Sequence, residues 1–252
     1  MSREIQMINT IASKDLRRII GQSVDPTVTG PVLVRSDIPE GPVALTPTRH
    51  YYCDGRLLAY EITDAEAFWT LLRQAKAEHS EHGATVLLPA VELFRNRRLF
   101  VSHDGMAVFA LGNTEDTRGY LSSVCKSPNY PGSMTQLLQL AIQEGANHLY
   151  CFDTCLTAYY RRLGFRPVCR VSFEMFGEPC DWNRETFRAY GPAGKAGCPD
   201  VNYFCYEPCQ PLSCAADPVD VALVSTDIPY ASSLQQAKDI LKGEVDRVSA
   251  LH

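Results

Sequence analysis

The chain reads as an α/β protein of the α+β type, a mixed and mostly antiparallel twisted sheet flanked by helices. Three observations point there. Short apolar runs alternate with amphipathic helical patterns between residues 56 and 207. His103-Asp104-Gly105 separates two apolar runs, and Asp-Gly in that position is a strong hairpin signal. Gly145 and Gly164 stand where helical patterns stop, as C-terminal glycines do. The 252 residues suit one large domain or two small ones, and 45% hydrophobic with 21% charged content is ordinary for a globular chain.

Each element follows from its own stretch. Residues 5–20 carry Ile5, Ile8, Ile11, Leu16, Ile19 and Ile20 in partly helical spacing, which suggests a short helix. Residues 21–48 hold prolines at 26, 31, 39, 42 and 47 and read as a connector, with a short strand at 32–34. Residues 1–55 together form an N-terminal extension, partly irregular. Residues 56–62 make a strand. Thr63-Asp64-Ala65-Glu66 has the form of a capping box and opens a helix with Ala65, Phe68, Leu71, Leu72 and Ala75 on one side. Residues 84–88 suggest a short strand. Residues 98–102 and 106–111 form the hairpin, and 119–125 a third strand.

Ser133 and Gln136 have the spacing of a second capping box, starting a helix to Glu144 with Met134, Leu137, Leu138 and Ala141 buried. A strand at 147–152, a helix at 155–163, a strand at 167–174, a long loop at 175–199 and a strand at 201–206 complete the core, 56–207. Residues 208–252 are a C-terminal extension ending in an amphipathic helix at 230–250. Its stripe of Leu234, Ala237, Ile240, Leu241, Val245 and Val248 must be buried, against the core or in a homodimer.

Composition excludes some functions. A net charge of −5 and an isoelectric point near 5.7 argue against a general nucleic-acid surface. The tight basic cluster Arg95, Arg97 and Arg98 reads as a solvated patch at a strand start. No apolar run approaches the ~20 residues of a membrane helix, and no secretory pattern opens the sequence, so a soluble cytoplasmic protein is expected. Cys205-x3-Cys209-x4-Cys214 lacks a paired CxxC and a nearby histidine, so no metal is expected. Cys125, Cys151 and Cys169 lie in apolar runs and read as small core hydrophobes.

Two local motifs carry the functional reading. Tyr130-Pro131-Gly132-Ser133 is a glycine turn feeding a helix N-terminus, which offers N–H groups and a positive dipole end to an anion. Tyr160-Arg161-Arg162-Leu163-Gly164-Phe165 follows on the next helix. In the order strand, glycine turn, helix, strand, helix, Gly-Phe, strand, residues 60–207 resemble the GNAT superfamily of acyltransferases. Phe152-Asp153-Thr154 through Phe165, followed by Arg170 and Pro199-Asp200-Val201, is also similar to GNAT-like proteins of phages and prophages.

The resemblance implies an enzyme that transfers an acyl group, acetyl above all, from acetyl-CoA or another acyl-CoA to an amine acceptor. The donor would enter a V between the strands at 119–125 and 148–152. Backbone groups of Ser122, Ser123 and Val124 would pair with its pantetheine amides, and the N–H groups of Gly132, Ser133 and Met134 would meet its pyrophosphate. Tyr160 would protonate the departing thiolate. Asp153 and Trp182 are candidate substrate contacts, and Glu115, Asp116 and Asp153 are candidates for the base. Other readings stand beside these. Tyr159 competes with Tyr160, and Trp182 can equally close the core. The family's loop pattern, Q/R-x-x-G-x-G/A, is met at Asn129 to Met134 with one glycine absent, which suits a catalytically inactive binding or structural module. A cysteine-dependent enzyme is the third reading.

Overall fold

A computed structural model of the chain describes residues 20–23, 30–39, 41–79, 83–207 and 228–250. Strands β1 (Ile20–Ser23), β4 (Pro47–Cys53), β5 (Arg56–Ile62), β6 (Arg97–Ser102), β7 (Ala107–Gly112) and β8 (Leu121–Lys126) form one antiparallel sheet in that order. Strands β9 (His148–Phe152), β11 (Val201–Tyr206) and β10 (Phe165–Val171) form a second, again antiparallel. A small hairpin of β2 (Val32–Val34) and β3 (Val43–Leu45) pairs separately and packs Val34 and Leu45 against the main sheet. The mixed α/β expectation with antiparallel sheets is met.

The β6–β7 hairpin shows why these residues pair. Gly105 sits at φ 74°, and the Asp104 carboxylate accepts from the Met106 N–H at 3.0 Å and from the Ser102 hydroxyl at 2.5 Å. That turn sets Val101 opposite Val108. Side chains then alternate between two buried faces. Leu99, Val101, Val108 and Ala110 pack with helix α1 (Ala65–Glu78) on one side. Phe100, Phe109 and Leu111 pack with helices α2 (Met134–Gln143) and α3 (Cys155–Arg162) on the other. Burial on both faces explains the unbroken apolar run of β7.

A third core lies on the second sheet. Phe152, Val171, Trp182, Phe187 and Tyr203 pack beneath helix α5 (Leu234–Ser249), which buries Ala237, Leu241 and Val248. The apolar stripe of the C-terminal helix is therefore covered by the chain's own β10 and β11.

Several expectations are corrected. The N-cap of α1 is Asp64, whose carboxylate reaches both the Glu66 and Ala67 N–H groups at 3.0 Å and leaves Thr63 no capping role. Residues 84–88 make no strand; a 3-10 turn at Gly83–Thr85 leads into irregular chain. β3 lies within the expected proline-rich connector at 21–48, and β4 starts at its end and runs to Cys53, inside the expected N-terminal extension. The β4–β5 hairpin crosses residue 55, so the main sheet continues into the expected N-terminal extension. β10 starts at Phe165 and ends at Val171, because Ser172 caps a one-turn helix α4 (Phe173–Phe176). The C-terminal helix begins at Leu234, with Ser233 as its cap. The helix expected at 5–20 lies outside the described residues except for Ile20, which opens β1.

Candidate functional site

The two sheets meet edge to edge at one point. β8 and β9 are edge strands, and a parallel bridge joins Tyr120 to His148, with the Asn147 N–H on the Gly119 carbonyl at 2.9 Å. Past that bridge no ladder joins them among the described residues. β8 also carries a bulge. Val108 pairs with Cys125 and Ala110 with Ser122, so Ser123 and Val124 face Phe109 alone. Ser123 takes up the extra residue at φ 53°, in the left-handed region. A bulge bends its strand and increases local twist. The pairing between the two sheets is therefore interrupted past Tyr120 and His148, a gap in the hydrogen-bond ladder with Ser123 and Val124 on one edge and Cys151 on the other. Ser122 is turned away, since its hydroxyl bonds the Arg97 guanidinium.

The turn that follows β8 leads into α2. Tyr130 is buried beneath it, and a side chain at Gly132 would run into the Tyr130 ring. Glycine is required here by close approach. The expected capping box is not formed. Ser133 has the extended backbone of an N-cap (φ −95°, ψ 115°) but its hydroxyl caps nothing, and the Gln136 amide turns to the Cys53 sulfur at 3.6 Å. The N–H groups of Gly132, Ser133 and Met134 therefore have no acceptor among the described residues. A cleft of about 580 Å³ lies beside this turn, lined by Arg56, His103, Tyr130, Gly132 and Gln136 among others.

Helix α3 supplies the two tyrosines. Thr154 caps it through the Leu156 N–H at 3.4 Å. Tyr160 is turned inward, 5% exposed, with its ring centroid 6.0 Å from Phe165 and 6.2 Å from Phe204. Burial pushes its phenol well above the ordinary value, and the nearby thiols of Cys151 on β9 and Cys125 on β8 add to the shift. Those two strands are the arms of the gap. Tyr159 points elsewhere: its hydroxyl lies 3.2 Å from Thr135 Oγ1 in the first turn of α2.

The remaining candidates fall differently. Asp153 follows β9, its N–H donating to the Asp200 carbonyl at 2.7 Å. Trp182 closes the third core. It stacks on Phe187 at 4.0 Å, sits 4.7 Å from Phe152, and donates its indole N–H to the Gly197 carbonyl at 2.8 Å. Its polar atom is committed to the backbone, so the structure does not bring it to the gap. Glu115 and Asp116 stand exposed on the turn after β7. The buried thiols are poor nucleophiles: burial pushes Cys125 up to about 12, Cys169 and Cys205 to about 11, and Cys151 well above its usual value. Cys209 and Cys214 lie outside the described residues.

Sequence reasoning missed two groups. The Tyr230 hydroxyl donates to Asp200 at 2.5 Å, and its ring lies 4.1 Å from the Arg170 guanidinium carbon. Arg97, set aside as a solvated patch, lies 5.3 Å over the Tyr120 ring. Both join residues distant in sequence, and no local pattern announces them. Among the described residues no three His, Cys, Asp or Glu side chains are placed to hold a metal, and no helix is long and apolar enough to cross a membrane. Scans against protein-family models, curated proteins and solved structures find no match to this chain.

Proposed function

We propose that the chain is an acyl-CoA-dependent N-acyltransferase with a GNAT-type fold. The observation that carries this reading is the break in pairing between the β8 and β9 edges past a single bridge, beside the Ser123 bulge, with N–H groups lacking an acceptor among the described residues at the start of α2. An extended donor with amides and a pyrophosphate suits such a gap. Its amides pair with the bulged edge at Ser123 and Val124, and its pyrophosphate meets Gly132, Ser133 and Met134 at the helix dipole's positive end.

The reaction is direct attack. The amine forms a C–N bond to the thioester carbonyl, the C–S bond breaks, and the amine's proton leaves through water. A thiol ordinarily titrates near ~8.5, below a phenol at ~10 and further below a buried one. Tyr160 thus keeps its proton and stabilises the departing thiolate as a hydrogen-bond donor, with the thiolate taking its final proton from solvent. The protonating role that the resemblance implies becomes a donating one.

Two measurements test this. Calorimetry and melting should show acetyl-CoA binding as heat and as stabilisation by mass action; neither effect at millimolar acetyl-CoA would overturn the proposal. Tyr160→Phe should lower turnover, followed as free thiol release, by about 10²-fold while acetyl-CoA still binds. Tyr159→Phe should change little. Full activity in Tyr160→Phe would remove that residue from the mechanism.

A further inference from the structure

Arg97 begins β6 on the face of the main sheet that carries α1, the side it shares with Leu99 and Val101. The Gly132 turn and α2 lie on the other face. Arg97 is half-buried, held by the Ser122 hydroxyl on β8 and by the Tyr120 ring. It has no carboxylate partner among the described residues, and neither has Arg95. Both line a cleft of about 340 Å³ with Asn96, Asn113, Thr63 and Thr114. Glu61 and Arg98, which point to the opposite face of the sheet, reach the same cleft at the strand ends; they pair at 2.7 Å, Glu144 shares that guanidinium and Arg49 stands 3.7 Å from Glu61. The cleft thus offers two uncompensated guanidinium groups ringed by amide and hydroxyl donors. Its volume suits a small ligand.

Its position bears on the acceptor. Tyr120, beneath Arg97, is the residue at which β8 and β9 touch before they part. Half-buried rings continue from there along β9: Tyr120 stacks with His148 at 5.5 Å and with Tyr150 at 5.4 Å. A molecule whose charged end sits at Arg97 and Arg95 can lie along these rings and reach the gap from the side opposite the Gly132 turn. Resting on the acyltransferase reading, we infer that the acceptor is an amine that carries an oxyanion, held by Arg97 and Arg95, with its amine directed into the gap. Phosphate and carboxylate share the chemistry that a guanidinium fork recognises. Burial holds the neighbouring His148 at about 4, so at neutral pH it adds no charge and the two arginines carry the selectivity.

The test compares three amines of similar length on the full chain with acetyl-CoA: ethanolamine, 3-aminopropanoate and O-phosphoethanolamine. The wild type should favour an oxyanion-bearing amine over ethanolamine by at least about tenfold in kcat/KM, and Arg97→Gln should remove about 10- to 100-fold from that amine alone, the range of a hydrogen bond to a charged group. The better of the two acids identifies phosphate or carboxylate. Ethanolamine as the best substrate, or an equal loss on all three in Arg97→Gln, would overturn the inference. Calorimetric titration of the two acids without acetyl-CoA separates the failures. Arg97-dependent binding in a protein that ignores acetyl-CoA would leave the anion cleft standing and sink the acyltransferase. Acetyl-CoA binding with neither acid bound at millimolar concentration would sink the cleft alone.

Discussion

Arg97 and Arg98 are neighbours on β6 and end on opposite faces of the same sheet, in opposite electrostatic states. Arg98 is enclosed by partners: Glu61 takes Nε at 2.7 Å and Nη2 at 3.0 Å, Glu144 takes Nη2 at 2.5 Å, and the Tyr51 hydroxyl stands 3.3 Å away. Those carboxylates raise its pKa above the usual arginine value, while Arg98 in turn holds Glu61 below the carboxylate range against burial. Arg97 has a hydroxyl and a ring. One arginine ties α2 to the sheet and is spent in doing so. The other keeps its charge available. Type and position in sequence do not distinguish them; the carboxylates that the fold delivers do.

The largest expected effect attacks the paired side. Arg98→Met removes the guanidinium shared by the nearly buried Glu61 and Glu144, leaving the exposed Arg49 3.7 Å from Glu61, and should cost about 3 kcal/mol in denaturant unfolding. Acid should narrow that difference. Because the folded Glu61 pKa is depressed, its stabilisation is present above about 4.5 and is lost as pH falls through the folded value. Wild type should therefore approach Arg98→Met below that pH. Parallel curves down to pH 3 would separate Arg98 from Glu61.

His148, stacked on the ring that carries Arg97, sharpens the comparison at intermediate effect. Its pKa falls from 6.5 to about 4 through burial. The unfolded chain binds the proton first, so stability should drop as pH falls from 6.5 towards 4, by about 2–3 kcal/mol in all. His148→Gln should remove that slope; a slope that persists in the variant would assign it to other groups. The smallest change is expected on the unpaired side. Arg97→Gln should alter stability by under ~1 kcal/mol, since it loses one hydroxyl bond and one ring contact at a half-exposed site. A loss comparable to Arg98→Met would mean that Arg97 is structural after all.

Much of the fold is legible in local pattern. β5 and β11 fall on the residues that apolar run and turn chemistry indicate, and α2 and α3 end at Gly145 and Gly164, both at positive φ. β4 is not legible. Pro47 opens it, and its buried positions, His50, Tyr51 and Cys53, lack strict alternation because a register shift lies between Tyr51 and Tyr52. The capping residue of α1 was misplaced by one position because Thr63 and Asp64 both qualify by type. For the site, local motifs mark Gly132 and Tyr160. The Ser123 bulge, the Tyr159 contact with Thr135 and the Arg97 cleft come from strands and helices meeting far along the chain, which a spacing rule does not reach.

The segment around Tyr230, whose ring covers Arg170, also pairs with the β10 backbone, and that pairing has a consequence for solution behaviour. β10 is the outer strand of its sheet, and the Arg170 N–H and carbonyl are taken by Pro229 and Ala231 at 3.0 and 2.8 Å. A free strand border is a template on which another polypeptide can add itself, the first step of uncontrolled association. By laying its own tail there and covering the adjacent face with α5, the chain withholds that template. A cut before residue 228 would thus do more than loosen a helix: it would expose a sticky margin, and insolubility rather than partial unfolding would be the first sign.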